Sequence, residues 1–306
     1  MNDQAAKPAV RWTVWLRAVR AFSFTASLMP VLVGAMLAVS AESVRWELLP
    51  LVALASVLLH AGTNLVSDAG DFARGVDREG SHGGSGVLVE GLLTARAVLR
   101  GGLALLAAGA ALGLVMAWIR GPVVLYLGLA GVGGGYFYGG KPFGYKYIAL
   151  GDPLVFALMG PLMVIGAYYV LAGGFAMRVL YASLPVGFLV TAILHANNLR
   201  DIAHDRRAGV RTLANVLGLT GAKVEYFLLV GAAYVAVIIM VAAEQIGPWC
   251  LLVLLSLPAA IRNLHRIGKA RLDATERIAT MDVRTARMHM VFGILLSAGL
   301  GLSAVL

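Results

Sequence analysis

The feature that most restricts this chain is a succession of long apolar runs, near 21–41, 48–67, 98–119, 121–139, 151–173, 179–197, 224–243, 246–264 and 288–306. Each approaches or reaches the roughly 17 to 25 residues that a helix needs to cross the hydrocarbon core of a bilayer. The expected fold is therefore all-α, a multi-pass membrane protein of about nine transmembrane helices. Composition agrees: 13% of the residues are charged, against about 25% in a soluble domain. The first run follows Arg11, Arg17 and Arg20 and is trailed by small residues near Ala38 and Ser40, a pattern that a secretory signal also shows. With so many later spans it reads as a retained helix. No soluble domain, low-complexity linker or heptad stretch interrupts the series, so residues 1–306 are expected to form a single transmembrane domain.

Orientation follows from the 25 Lys and Arg residues. With the N-terminus cytoplasmic, twenty-two of them, beginning with Lys7, fall on the cytoplasmic side and only Arg45, Arg120 and Arg178 lie outside. That asymmetry is the positive-inside signature, and a missed helix would scramble it. The expected location is the cell (inner) membrane. The net charge of +9 needs no nucleic acid, because attraction to anionic headgroups accounts for it. Cys250 is the one cysteine, so neither a disulfide framework nor a cysteine-rich metal site is available.

Two stretches break the apolar pattern. In "NLVSDAGDFARGVD", residues 64–77, Asn64, Asp68 and Asp71 are spaced i, i+4 and i+7, which places them on one helical face. Asp77 follows Gly75 and is expected in a loop. In "NNLRDIAHDRRAGV", residues 197–210, Asn197, Asp201 and Asp205 repeat the stripe at i, i+4 and i+8, and each stretch ends in Gly-Val four residues after its second carboxylate. A single Asp at a helix end can be a solvated flank. Two matched stripes on the same side are expected instead to line one polar cavity, because carboxylates at membrane depth cost a few kcal/mol each. Carboxylates so grouped repel unless a cation neutralises them. Oxygen donors without cysteine point to a hard ion, and Mg²⁺ commonly takes a few carboxylates plus substrate phosphates. Arg74 and Arg78 follow the first stripe, and Arg206, Arg207 and Arg211 follow the second, which suits a diphosphate bridged by Mg²⁺.

At these residues the chain resembles the UbiA superfamily of intramembrane prenyltransferases, and most the branch acting on 1,4-dihydroxy-2-naphthoate in menaquinone biosynthesis. Four blocks carry the resemblance: "NLVSDAGDFARGVD", "GVLVEGLLT", "YGGKPFGYKYIALGDPLVFALMGPLMVIGAYYV" and "NNLRDIAHDRRAGVRTLA". Two departures stand out. The branch usually has Asn-Asp and an aromatic where this chain has Ser67-Asp68-Ala69, and a Lys where it has Val210. The resemblance implies nine helices around a central cavity that opens to the cytosol and laterally to lipid. It also implies Mg²⁺-dependent transfer of a prenyl group from a polyprenyl diphosphate to an aromatic acceptor.

On that basis Asn64, Asp68 and Asp71 are assigned to one Mg²⁺, and Asp201 and Asp205, oriented by Asn197 or Asn198, to a second, with Asp77 as a looser member. Lys141 is expected to form a third wall of the phosphate site with Arg211 opposite, supported by Arg74 and Arg206. Among the aromatics of "YFYGGKPFGYKY", Tyr138 and Tyr145 are the first candidates for stabilising an allyl cation. Asp152, before Pro153, is expected as a helix N-cap; His60, His195 and His204 read as polar residues near the cavity. "GVGGGY" at 131–136 lacks the βαβ context of a nucleotide loop and is expected to serve close helix packing. The bilayer is the expected surrounding, and no obligate protein partner is evident. Two other readings remain open: the same fold acting on homogentisate, 4-hydroxybenzoate or a lipid alcohol, and a cation-coupled transporter built on matched acidic repeats.

Overall fold

The computed structural model describes residues 11–78, 84–272 and 274–306, so Lys7 lies outside the described residues. Among the described residues there is no strand. The helices are α1 (Arg11–Ala18), α2 (Thr25–Ala38), α3 (Leu49–Ala73), α4 (Ala95–Arg120), α5 (Pro122–Gly139), α6 (Gly151–Ala157), α7 (Met163–Ala172), α8 (Met177–Arg207), α9 (Leu213–Ala242), α10 (Leu257–Gly268) and α11 (Met281–Val305). Eight segments among the described residues are long and apolar enough to cross a membrane. The ninth expected span is helical as α5 and is not among those eight. The protein is a multi-pass membrane protein.

α6 and α7 form one span joined by a π turn at Leu158–Leu162. Pro161 sits inside that turn: proline has no N–H to donate and its ring crowds the carbonyl four residues back, so the helix widens locally. α3 packs along α4, α8 along α9, and α2 lies between α7 and α11. The main core gathers Val33, Leu171, Leu189, Tyr226 and Phe292. A second, smaller core holds Val14, Ala18, Leu65, Val87, Leu88 and Val98, which fastens the 84–93 loop across the end of α3. In the glycine run of α5, a Cβ on Gly134 would come within 2.5 Å of Leu158 and one on Gly135 within 2.5 Å of Thr63, whereas Gly133 faces open space. The close packing expected of that run is therefore confined to two positions.

The repeated Gly-Val of the two acidic stretches has one structural cause. Gly75 (φ 67°) and Gly209 (φ 72°) adopt the left-handed conformation. Around them Val76 N–H donates to Asp71 O at 2.9 Å and Gly75 N–H to Phe72 O at 3.1 Å, while Val210 N–H donates to Asp205 O at 2.9 Å and Gly209 N–H to Arg206 O at 3.4 Å. Both are Schellman endings, with the glycine just past the helix and an apolar residue after it. The last Asp of each stripe thus occupies the same position, one turn from the same kind of helix end.

This pairing makes Gly209 a backbone requirement with no packing component, because a Cβ there would meet nothing within 4 Å. Gly209→Ala should destabilise the protein by about 1–2 kcal/mol through left-handed strain alone. Gly231→Ala in α9, equally open but in ordinary helical conformation, should be neutral or stabilising. Thermal unfolding in detergent checks the pair; equal midpoints would contradict the assignment.

Candidate functional site

Both stripes are helical as expected, on the last turns of α3 and α8, and Asp77 is in the loop beyond Gly75. They are not solvated flanks: Asp68, Asp71, Asp77, Asp201 and Asp205 are all 8% exposed or less. A buried carboxylate is expensive unless it is paired and hydrogen-bonded, and the surrounding groups supply those partners unevenly. Asp68 is held by the Arg20 guanidinium and by Ser85 N–H at 3.1 Å. Asp71 accepts from Lys146 Nζ and from Tyr147 OH, the latter at 2.8 Å. Arg200 donates to both oxygens of Asp201 at 2.9 and 2.8 Å and also reaches Asn197, Ala279 O and Asp282. Among the described residues no donor engages the carboxylates of Asp77 or Asp205.

Asp68, Asp71 and Asp77 each offer one oxygen, all within 4.8 Å of one another. Burial first, and then the charges of Asp71 and Asp68, push the Asp77 carboxyl up to about 7. Burial likewise holds the Tyr145 and Tyr147 phenols above their ordinary range, so both keep their protons at neutral pH.

The stripes meet in a cavity of about 1610 Å³ that includes the space at its open mouth. Of the residues singled out from sequence, Asn64, Asp71, Asp77, Tyr138, Tyr145, Asn197, Asn198, Asp201 and Asp205 line it, together with Asp152, His60 and His204. Asp68 does not; it lies directly behind the wall, covered by Arg20 and the 84–93 loop. Tyr138 and Tyr145 meet edge to face, 5.5 Å between centroids.

The cations are placed differently from expectation. Lys141, Arg74, Arg206 and Arg211 are exposed and none of them is part of the cavity lining. Lys141 stands at the outer start of the turn between α5 and α6, whereas Lys146, five residues on, points inward and donates to Ser67 Oγ at 2.6 Å. Arg74 instead lies over the Tyr147 ring at 4.2 Å and donates to Gly139 O at 3.1 Å, bracing the wall from outside. Arg206 follows Asp205 on α8 and so turns away from the cavity. Arg211 contributes its backbone, N–H to Tyr147 O at 3.2 Å, which ties the 141–150 loop to the end of the second motif. Among the described residues, the lysine and arginine side chains that line the cavity are Arg20 and Lys146.

Sequence reasoning missed Arg20, Lys146, Ser67 and Arg200. Lys146 belonged to a quoted block and Ser67 to a motif, but nothing in spacing favoured Lys146 over Lys141. Arg20 looked like one more flanking charge. Asp152 is not an N-cap: it sits in the first turn of α6, where the N-cap is Leu150, and its Oδ1 accepts from Asn198 at 3.3 Å. His60 bridges Ser27 at 2.8 Å and Ser23 at 3.2 Å. His204 Nε2 donates to Val76 O at 2.7 Å and so joins the two motif ends.

The UbiA prenyltransferase family is matched over residues 27–303. UbiA prenyltransferase domain-containing protein 1 of Mus musculus is 33% identical over 92% of this chain and 81% of its own length. The 1,4-dihydroxy-2-naphthoate octaprenyltransferase of Bacillus subtilis is 29% identical over 93% of this chain and 91% of its own. Among solved structures, a UbiA homologue from Aeropyrum pernix superposes with TM-score 0.67 at 17% identity, over 92% of this chain and 97% of that one. One from Archaeoglobus fulgidus, bound to GPP and Mg²⁺, gives 0.59 at 16% identity, over 93% and 99%. At such identities these two likenesses speak to the fold.

The raised Asp77 carboxyl has a consequence for stability. Its folded value, about 7, lies above the unfolded value of 3.8, so between those limits the folded state binds more protons and stability falls as pH rises. With chelator present, raising pH from 4 to 7 should lower the unfolding midpoint of the wild type, and Asp77→Asn should flatten that slope. A slope unchanged in the variant would show that Asp77 does not titrate there.

Proposed function

The chain belongs to the UbiA prenyltransferase family, and from that premise we propose that it transfers a prenyl group from a polyprenyl diphosphate to 1,4-dihydroxy-2-naphthoate in a Mg²⁺-dependent reaction. The observation that carries the reading is the convergence of two buried carboxylate stripes with Arg20 and Lys146 on one cavity. The donor set fits Mg²⁺: Asp68, Asp71 and Asp77 present clustered oxygens, which a small hard cation prefers. We assign them with Asn64 to one ion, and Asp205 and Asp201 with Asn197 or Asn198 to a second. When bound, the metal supplies positive charge where negative charge develops on the departing diphosphate.

The chain's own groups do the rest. Lys146 and Arg20 are fixed cations within the cavity wall, placed to receive diphosphate oxygens as the allylic C–O bond breaks and both its electrons leave with the diphosphate. Tyr138 and Tyr145 offer ring faces toward an allyl cation, worth up to about 2 kcal/mol in a site shielded from water. The naphthoate ring carbon that bears the carboxylate then captures the cation, and the ring regains aromaticity by losing CO₂ in place of a proton, the C–C bond electrons staying with the ring. The apolar side of the same cavity, with Leu158, Met159, Met163 and Ile193, suits a substrate whose isoprenoid tail remains in the bilayer. The acceptor assignment rests on the block resemblance and on the name of the Bacillus subtilis relative.

We further propose one domain over residues 1–306, an inner-membrane location and a cytoplasmic N-terminus. The charge distribution supports that orientation: Arg45 precedes α3 and Arg178 opens α8, at the ends opposite the acidic stripes.

Two outcomes test the reading. Activity should vanish with chelator and return with Mg²⁺, and Lys146→Gln should lower kcat by about 10²-fold or more while Lys141→Gln stays near wild type. Equal losses at both lysines would return Lys141 to the site. For the acceptor, carboxyl-labelled 1,4-dihydroxy-2-naphthoate should release CO₂ and yield a prenylated naphthoquinol lighter than the simple adduct. Prenylation of 4-hydroxybenzoate or homogentisate instead, with the naphthoate untouched, would move the protein to another branch.

A further inference from the structure

Where α6, α8 and α9 meet, beside the cavity, three side chains turn polar atoms toward one point. His195 Nδ1 lies 3.3 Å from Glu225 Oε2 and 3.6 Å from Asp152 Oδ2, and each of these three atoms is buried without a hydrogen-bond partner. His195 is fully buried and Asp152 is 2% exposed. The remaining atoms fix the orientation of the cluster. His195 Nε2 lies 2.8 Å from Ala222 O and must donate to it, because a carbonyl only accepts. In neutral imidazole that leaves Nδ1 a bare lone pair facing two carboxylates. Asp152 Oδ1 is taken by Asn198 at 3.3 Å, which aims Oδ2 at the same point.

Three acceptors cannot converge in a low-dielectric interior without something positive between them. A proton and a metal ion predict different spacings. A charge-assisted hydrogen bond draws its heavy atoms to about 2.7–2.9 Å. A tetrahedral zinc with Zn–N near 2.0–2.1 Å and Zn–O near 2.0–2.2 Å holds its ligand atoms about 3.3–3.5 Å from one another. The observed separations of 3.3 and 3.6 Å lie nearer the metal spacing than the hydrogen-bond spacing, and all three ligand atoms fall within 4.8 Å of one another. A ligating histidine that donates its other N–H to a backbone carbonyl is the usual outer arrangement of such sites. One imidazole nitrogen with two carboxylate oxygens favours a borderline transition ion over Mg²⁺.

We propose that Asp152, His195 and Glu225 form a binding site for one divalent transition-metal ion, zinc by donor set and spacing, that clips α6, α8 and α9 together. Asp152 lines the cavity, which gives the ion a route in and leaves room for water as a fourth ligand. Through Asn198 the clip also braces the helix that carries Asp201 and Asp205, although it takes no part in the chemistry assigned to them. The site stands whether or not the naphthoate assignment does.

The test is metal analysis of full-length protein purified without chelator, then equilibrated with Zn²⁺ under excess Mg²⁺ so that the aspartate motifs are filled, and dialysed against Mg²⁺ alone. Wild type should retain roughly one zinc per chain, and its unfolding midpoint should rise on zinc addition. His195→Gln and Glu225→Gln should lose both the retained ion and the zinc-dependent shift; the second, 18% exposed at its side chain, keeps the assay usable should the first fold poorly. Wild type that retains no zinc and gains no stability from it would overturn the proposal and leave a shared proton as the bridging charge. Zinc retained equally by wild type and Glu225→Gln would place it elsewhere and overturn it as well.

Discussion

The organisation of this protein depends on the cost of burying negative charge in an apolar bundle. Five aspartates of the two motifs are nearly inaccessible, and an isolated carboxylate in such surroundings would either neutralise or unfold its environment. Each cation brought inward is therefore part of the architecture. Arg20 reaches Asp68 from the segment before α2, Lys146 reaches Asp71 from the loop before α6, and Arg200 grips Asp201 within α8 while also holding Asp282 on α11. Removing one partner from such a pair leaves a charge stranded, which costs more than the pair itself contributes.

This ordering is asymmetric, and the asymmetry suggests a division of roles. Asp68, Asp71 and Asp201 are tied to cations, whereas no donor among the described residues engages Asp77 or Asp205. The tied groups brace the wall as well as offering oxygens to the proposed ions, whereas the untied ones meet no competing donor among the described residues. A transporter site would more often lie at the middle of the membrane; both stripes here end at the C-terminal turns of their helices.

The short connections matter as much as the spans. His204 bonds Val76 O, Arg211 N–H bonds Tyr147 O, and Ser85 N–H bonds Asp68, so the loops after α3, α5 and α8 are fastened to one another over the cavity. The "GVLVEGLLT" block is fastened in the same way: Val87 and Leu88 are buried against α1 and α4, and Glu90 pairs with Arg17. These contacts cover Asp68 behind the cavity wall.

What the sequence determined by itself was whatever depends on periodicity and local chemistry. Apolar run length dictated an all-helical membrane protein, the i, i+4 spacing put each stripe on one face, and the Gly-Val repeat marked two equivalent helix ends because glycine is needed where the backbone turns left-handed. The tertiary structure decided what depends on which way a loop folds back. Lys141 and Lys146 are indistinguishable by spacing, yet only the second points inward; Arg20 and Arg74 both flank helices, yet only the first lines the cavity. Asp152, His195 and Glu225 are far apart in the chain and become neighbours only when α6, α8 and α9 pack. Helix periodicity is a short-range property carried by the residues themselves, whereas the pairing of a buried charge is settled by three-dimensional proximity, which no local pattern encodes.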